Sequence, residues 1–377
     1  MVTLIVFIFI LGLLVFVHEL GHFVVARKNG IKCDEFGFGF PPRAVGVYFN
    51  EKTNKWKFVK GSKDVVSKNT VYSLNWFPIG GFVKIKGEDG DGKKDPDSFA
   101  SKSALVRISV LSAGVMMNFV LAWVLLSASF MIGSYQDVTG ENNPNAKVFV
   151  ESIEKDSPAE KMGMKVGDVI LSGDGGLEFK TVADVQKYAG ENASKEVSVT
   201  VMRNDERIEL KGAPRLNSET GRGVFGISGI GEVVTMRYGF FESLWKGLSE
   251  MGNMFAMIGK VLGGLFQGEN AGVEVMGPVK LAMFTGQIIP LGFVFMLRFI
   301  AIFSINLGVI NILPFPALDG GRILFIIIEK LKGSPVSQKV ESIFHSIGMM
   351  ILLSLMLFIT MREIFSPEIL GKIKGIF

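Results

Sequence analysis

The chain has one cysteine, Cys33, and only three histidines in 377 residues. A single cysteine excludes an intrachain disulfide framework and any zinc knuckle built from several thiolates. An excess of one charge is also missing. Forty Lys+Arg against 36 Asp+Glu leave a net +4, too balanced to argue for a nucleic-acid partner. Disorder is excluded because 48% of the residues are hydrophobic. A mean hydropathy of +0.38 argues against one soluble globule and for several membrane spans with a small soluble module.

What the chain does have is long runs without charge. Val2–Val17 carries none, Ile108–Gln136 carries none, and Leu281–Leu318 is interrupted only by Arg298. Ser342–Met361 is free of formal charge, with His345 near its start. Crossing the hydrocarbon core takes about 20 mostly apolar residues. The runs therefore predict a first transmembrane helix over 1–27, a second over 105–135, a third transmembrane region over 281–322 and a fourth helix over 342–362. The alternative for each is a buried core helix. The first run lacks a basic n-region and a small-residue cleavage site, so it reads as retained. Basic flanks set the direction. Arg27, Lys28 and Lys32 follow the first run, and Lys102 and Arg107 precede the second. Residues 27–107 hold 16 Lys+Arg against 9 Asp+Glu, while 146–215 hold 11 against 13. The segment 28–104 is therefore expected on the cytoplasmic side and 146–215 outside.

Residues 70–87, TVYSLNWFPIGGFVKIKG, suggest a β-hairpin around Pro78, Gly80 and Gly81. It is either an ordinary cytoplasmic hairpin or one dipping into the membrane, where irregular backbone survives only against protein or a wet cavity. Residues 146–215 alternate short β-rich runs with polar turns and read as a soluble α+β module. The string DSPAEKMGMKVGDVILSGDG at 156–175 resembles the PDZ signature. Such domains add an extended chain to a sheet edge. Residues 237–270 are apolar but punctuated by Glu242, Lys246, Glu250 and Lys260, which suggests an amphipathic helix on the outer membrane surface. The expected fold is thus a membrane α-helical protein with four transmembrane helices, a membrane-associated β-hairpin and one extramembrane α+β domain.

Two of the three histidines fall in His18-Glu19-Leu20-Gly21-His22, an HExxH sequence. On a helix, residues i and i+4 share a face, so both imidazoles can reach one cation, with Glu19 beside them to deprotonate a bound water. Ionisable groups near the inner end of a span are costly and point to function. Two imidazoles with a carboxylate suit zinc. A catalytic zinc usually takes three protein ligands. His345 is one candidate for the third, although no partner motif surrounds it. Asp319 is another, in N-I-L-P-F-P-A-L-D-G-G from Asn311 to Gly321, where two prolines break a span. A plain N-cap is the alternative reading of Asp319. Asn118, alone in the second run, could join helices by a hydrogen bond or position the site.

The combination resembles the intramembrane site-2 metalloproteases, with bacterial RseP-like members as the nearest group. The resemblance runs in order through HELGH, YSLNWFPIGGFVKI, the Asn118-bearing second run, one PDZ-like module, Gly277-Pro278 and the N-x-x-P-x-P-x-L-D-G motif. It implies one zinc ion per chain held by His18, His22 and Asp319, with Glu19 as base and then acid. It implies that Asn311 helps hold substrate and that the hairpin, at Gly80, Gly81 and Phe82, pairs with an unwound substrate strand. It also implies a metalloendopeptidase in a bacterial cytoplasmic membrane that cleaves single-span proteins such as anti-sigma factors or remnant signal peptides. The PDZ domain would lie outside and the active site near the cytoplasmic face; the lipid bilayer is a partner and nucleic acid is not. Val115 departs from the family's usual G-P-x-x-N-F, and one PDZ-like module stands where several members have two. A zinc transporter or a catalytically silent adaptor would share parts of this pattern, but neither needs Glu19.

Overall fold

A computed structural model of the chain describes residues 2–61, 65, 67–141, 143–203, 206–217, 220–268, 276–334 and 336–366. The chain begins with helix α1 (Val2–Lys28), strands β1 (Cys33–Asn50), β2 (Lys55–Lys60) and β3 (Val71–Ile85), and helix α2 (Ala104–Ile132). There follow β4 (Ser134–Asp137), β5 (Lys147–Ile153), α3 (Pro158–Lys161), β6 (Val169–Ser172), α4 (Val182–Glu191), β7 (Val197–Arg203) and β8 (Glu206–Gly212). Short strands β9 (Arg215–Leu216) and β10 (Gly223–Val224) lead to β11 (Ile227–Met236). The last five elements are helices α5 (Phe240–Phe266), α6 (Pro278–Ile288), α7 (Phe293–Ile312), α8 (Asp319–Lys332) and α9 (Gln338–Ile364). Two compact units result, one drawn from Met1–Leu126, Leu248–Thr285 and Phe299–Phe377, the other from Ser127–Gly247 and Gly286–Arg298.

Among the described residues, α1, α2, α7 and α9 are the helices long and apolar enough to cross a membrane. They coincide with the four charge-free runs. A helix that is apolar all round needs an apolar environment on every side. Their ends differ from the expected ones. α2 stops at Ile132, and Ser134 already belongs to β4, so residues 133–135 of the second run are not helical. The region 281–322 is broken twice. α6 ends at Ile288, a single 3-10 turn carries Pro290, and α7 ends at Ile312 before Pro314 and Pro316. Proline has no N–H to donate to a helix, which explains the interruption.

In the first unit, β2, β1 and β3 form one sheet in that order, and the expected hairpin at 70–87 is instead the single strand β3, both halves of which pair with β1 rather than with each other because Gly80 and Gly81 bend the strand. β1 and β3 each bend midway, so Phe36 pairs with both Val83 and Tyr72, while Val47 also pairs with Tyr72. The bends bring sheet and helix together: Gly80 lies on Val15, Gly81 on Phe16, and Phe38 against Gly12. These α1 residues belong to its charge-free stretch and precede His18. Below them, Ala26, Ile31, Cys33, Ile85, Phe99, Val110, Leu111 and Ile326 make a buried core. Burial pushes the Cys33 thiol up to about 12, so it stays protonated at neutral pH. α5 replaces the expected 237–270 stretch, of which residues 269 and 270 lie outside the described residues. Its apolar side has a helical partner: Met251, Met254, Phe255 and Ile258 pack on Ala122, Leu126, Ala301 and Ile305 of α2 and α7.

The second unit holds a six-stranded antiparallel sheet in the order β4-β11-β5-β6-β7-β8. On β7, Val197, Val199 and Val201 alternate into its core, as a half-buried strand requires. Thr181 and Asp184 close α4 with a reciprocal capping box. Asp168, whose side chain is fully buried, accepts two 2.7 Å hydrogen bonds from Arg203. The sheet extends past 146–215 at both ends. β11 inserts between β4 and β5, so strands from outside the expected boundaries complete it.

Candidate metal centre

α1 and α2 cross where both are small. A Cβ added to Gly21 would fall on the Ala113 carbonyl, and one added to Gly114 would fall on the His22 ring. Small residues let helix backbones approach this closely. The crossing presses the HExxH turn against α2, leaving His18 and His22 only 7% and 6% exposed.

Three donor atoms converge there. His18 Nε2 and His22 Nε2 are 3.1 Å apart. Asp319 Oδ2, at the first residue of α8, lies 3.0 Å from His18 Nε2 and 3.3 Å from His22 Nε2. Tetrahedral zinc with bonds of about 2.0–2.1 Å sets its donors about 3.3 Å apart. The triangle therefore has the size that zinc requires.

The outer atoms of the rings fix which nitrogens face inward. His22 Nδ1–H donates to the Val110 carbonyl at 2.8 Å, which leaves Nε2 with its lone pair toward the triangle. His18 Nδ1 lies 3.2 Å from the Asn118 amide, whose Oδ1 is buried without a partner. Amide O and N are interchangeable in such an assignment. With the amide turned over, Oδ1 accepts from His18 Nδ1–H and gains the partner it lacks. Ser304 Oγ–H donates to the Asn118 carbonyl at 2.7 Å and steadies that turn of α2. Both imidazoles then present bare Nε2 atoms, and Asp319 Oδ2 is itself buried without a hydrogen bond. Three electron pairs facing one another are mutually repulsive until a cation lies between them, so the residues fit zinc. Glu19 is half-buried beside them, with a carboxylate oxygen within 4.8 Å of the imidazole donor atoms.

The other expected residues are placed as follows. Asn311 stands in the last turn of α7, partly exposed, and is not one of the converging donors. Gly80 and Gly81 are buried on α1 at Val15 and Phe16, and Phe82 is half-buried next to them. His345 is not in the triangle. Its Nδ1 accepts from the Ala317 backbone N–H at 2.9 Å. Sequence reasoning missed the Val110 carbonyl, because a backbone acceptor has no residue signature. Gly114 and Asn118 did leave a trace, since a small and a polar residue four apart share one face of an apolar helix.

The profile of peptidase family M50 matches residues 6–355. A protein of Nostoc sp. named as a zinc metalloprotease is 32% identical over 362 residues, covering 94% of this chain and 93% of that one. One from Agrobacterium fabrum with the same designation is 30% identical over 383 residues, covering 96% and 95%. The regulator of sigma-W protease RasP of Bacillus subtilis is 28% identical over 442 residues, covering 96% and 98%. Among solved structures, the PDZ domain of an SdrC-like protein from Listeria innocua aligns with 25% of this chain and 98% of that domain. It does so at 19% identity and a TM-score of 0.19, too low to argue a fold from.

Proposed function

The chain belongs to peptidase family M50, the site-2 zinc metalloproteases of membranes, and on that premise we propose that it cuts peptide bonds inside the spans of single-span proteins. One zinc ion per chain is held by His18, His22 and Asp319. The observation that carries this is the triangle of donors at 3.0–3.3 Å, closed by three residues from two distant parts of the chain.

Zinc, when bound, polarises the scissile carbonyl and acidifies a water. Glu19 takes the proton of the attacking water and passes it to the leaving amine. The Val110 carbonyl and the Asn118 amide hold the imidazoles in the tautomer that turns Nε2 inward. A helical substrate hides its amides, so it must unwind before cleavage. The Gly80–Phe82 stretch of β3, resting on α1 just before His18, offers a strand edge that would offset the hydrogen bonds lost on unwinding. Asn311 helps hold that strand. The contact of β3 with the charge-free part of α1 supports the reading in which this segment enters the membrane. The six-stranded unit is a PDZ domain on the extracytoplasmic side of a bacterial cytoplasmic membrane, and the metal centre lies near the cytoplasmic face. Substrates are membrane-anchored regulators such as anti-sigma factors, or remnant signal peptides. The name of the Bacillus subtilis relative supports the first class.

The test is cleavage of a tagged single-span substrate in detergent, with zinc content measured on each protein. Glu19→Gln is expected to keep zinc and lose cleavage, and Asp319→Asn to lose zinc. Equal cleavage by wild type and Glu19→Gln would refute the assignment of the base.

A further inference from the structure

α9 is apolar and exposed along nearly all its length. Among its described residues only Gly348 and Glu363 are buried. One place where it meets the body of the first unit is the loop that delivers Asp319. That loop, residues 313–318, has prolines at 314 and 316 and so lacks two of its N–H groups. Ala317 sits at φ +73°, a conformation that L-residues adopt only when their surroundings impose it. The Ala317 N–H is claimed from outside the loop, by His345 Nδ1 at 2.9 Å. One turn further along the same face of α9, Gly348 lies against Pro316 so closely that a Cβ would overlap it. The His345 ring also stands 5.7 Å from that of Phe325, on the helix that Asp319 begins.

We infer that His345 and Gly348 are positioning residues that seat the 313–318 loop on α9 and thereby hold Asp319 in place for the metal. His345 supplies the acceptor that stabilises the left-handed Ala317, and Gly348 supplies the flat surface on which Pro316 rests. The third histidine thus acts through a ligand without being one. The inference rests on the zinc reading given above, and it assigns α9 a part in metal retention that reaches beyond anchoring.

The experiment measures zinc affinity of the purified full chain in detergent, by competition with a chelator, with helix content as a check on folding. His345→Asn keeps an acceptor where Nδ1 stands, and His345→Leu removes it. His345→Leu is expected to weaken zinc binding roughly 10- to 100-fold, the usual cost of losing a group that orients a ligand. His345→Asn is expected to bind like wild type. Ala317→Gly added to His345→Leu is expected to recover most of the loss, because glycine holds a positive φ unaided. Unchanged affinity in His345→Leu overturns the inference. So does a His345→Asn as weak as His345→Leu, or a defect that Ala317→Gly leaves untouched. If His345→Leu does not fold, Gly348→Ala decides: it presses on Pro316 without altering His345, and wild-type affinity in it overturns the inference. A wild-type chain that takes up no zinc contradicts the metalloprotease reading itself, and that result is visible before any variant is measured.

Discussion

Asn118 is fully buried, touches His18 and is not itself a donor to the triangle. Its value lies in fixing a ring. Asn118→Ala is therefore expected to lower zinc affinity by roughly 10- to 100-fold without loss of helix, read by chelator competition. Gly114→Ala should be harsher at the same site, because the added methyl has no space beside His22; zinc lost from a folded protein is the expected result, and zinc retained would show that α2 can shift. The legibility of these residues in the sequence follows from distance along the chain. His18, Glu19 and His22 share one helical turn, so spacing alone brings them together. Asp319 arrives from some 300 residues away, and the residues by themselves left it open between ligand and cap. His345 showed only that it was a histidine near a helix start, since its partner is a backbone N–H.

At the scale of elements, α4 depends on a carboxylate. Burial alone would raise the Asp184 pKa, but N–H donation from Lys180 and Thr181 outweighs it and holds the group below its ordinary value. A depressed folded value contributes stability above the unfolded pKa and loses it as pH falls through the folded one. Hydrogen exchange at the start of α4 in the full chain should therefore speed up relative to Asp184→Asn as pH falls below about 4; identical pH dependence in the two proteins would show the cap to be idle. A second carboxylate ends α9. Glu363, 4% exposed, accepts from the N–H groups of Gly277, Val279 and Lys280 at the start of α6. Glu363→Ala strands those donors and should cost about 1–3 kcal/mol, seen as a lower thermal midpoint in detergent. The long helices were readable because twenty apolar residues in a row have few other uses. In the second unit the β-rich runs matching β5 to β8 were readable, but β4 and β11 were not, because β11 pairs with β5 some 80 residues earlier and its glycine-rich sequence lacks a strand's alternation. β1 was missed for a similar reason, as Gly37, Gly39, Pro41 and Pro42 interrupt it.

For the whole molecule, a zinc ion held by the proposed donors would act as a cross-link. These donors come from α1 and from the start of α8, and α2 holds the His22 ring through the Val110 carbonyl. A ligand that binds only the folded state stabilises it by about 2.7 kcal/mol when present at 100 times its Kd. Chelator treatment should lower the thermal midpoint of the wild-type chain, and added zinc should restore it. Asp319→Asn should respond to neither. The crossing of α1 and α2 at Gly21 and Gly114 leads further. Gly114 stands beside the inward edge of the His22 ring, where an added Cβ would meet Nε2 at 2.4 Å. Two residues without side chains therefore clear the space in which the donor atoms meet, and a methyl at either one would close the site without touching a ligand's chemistry.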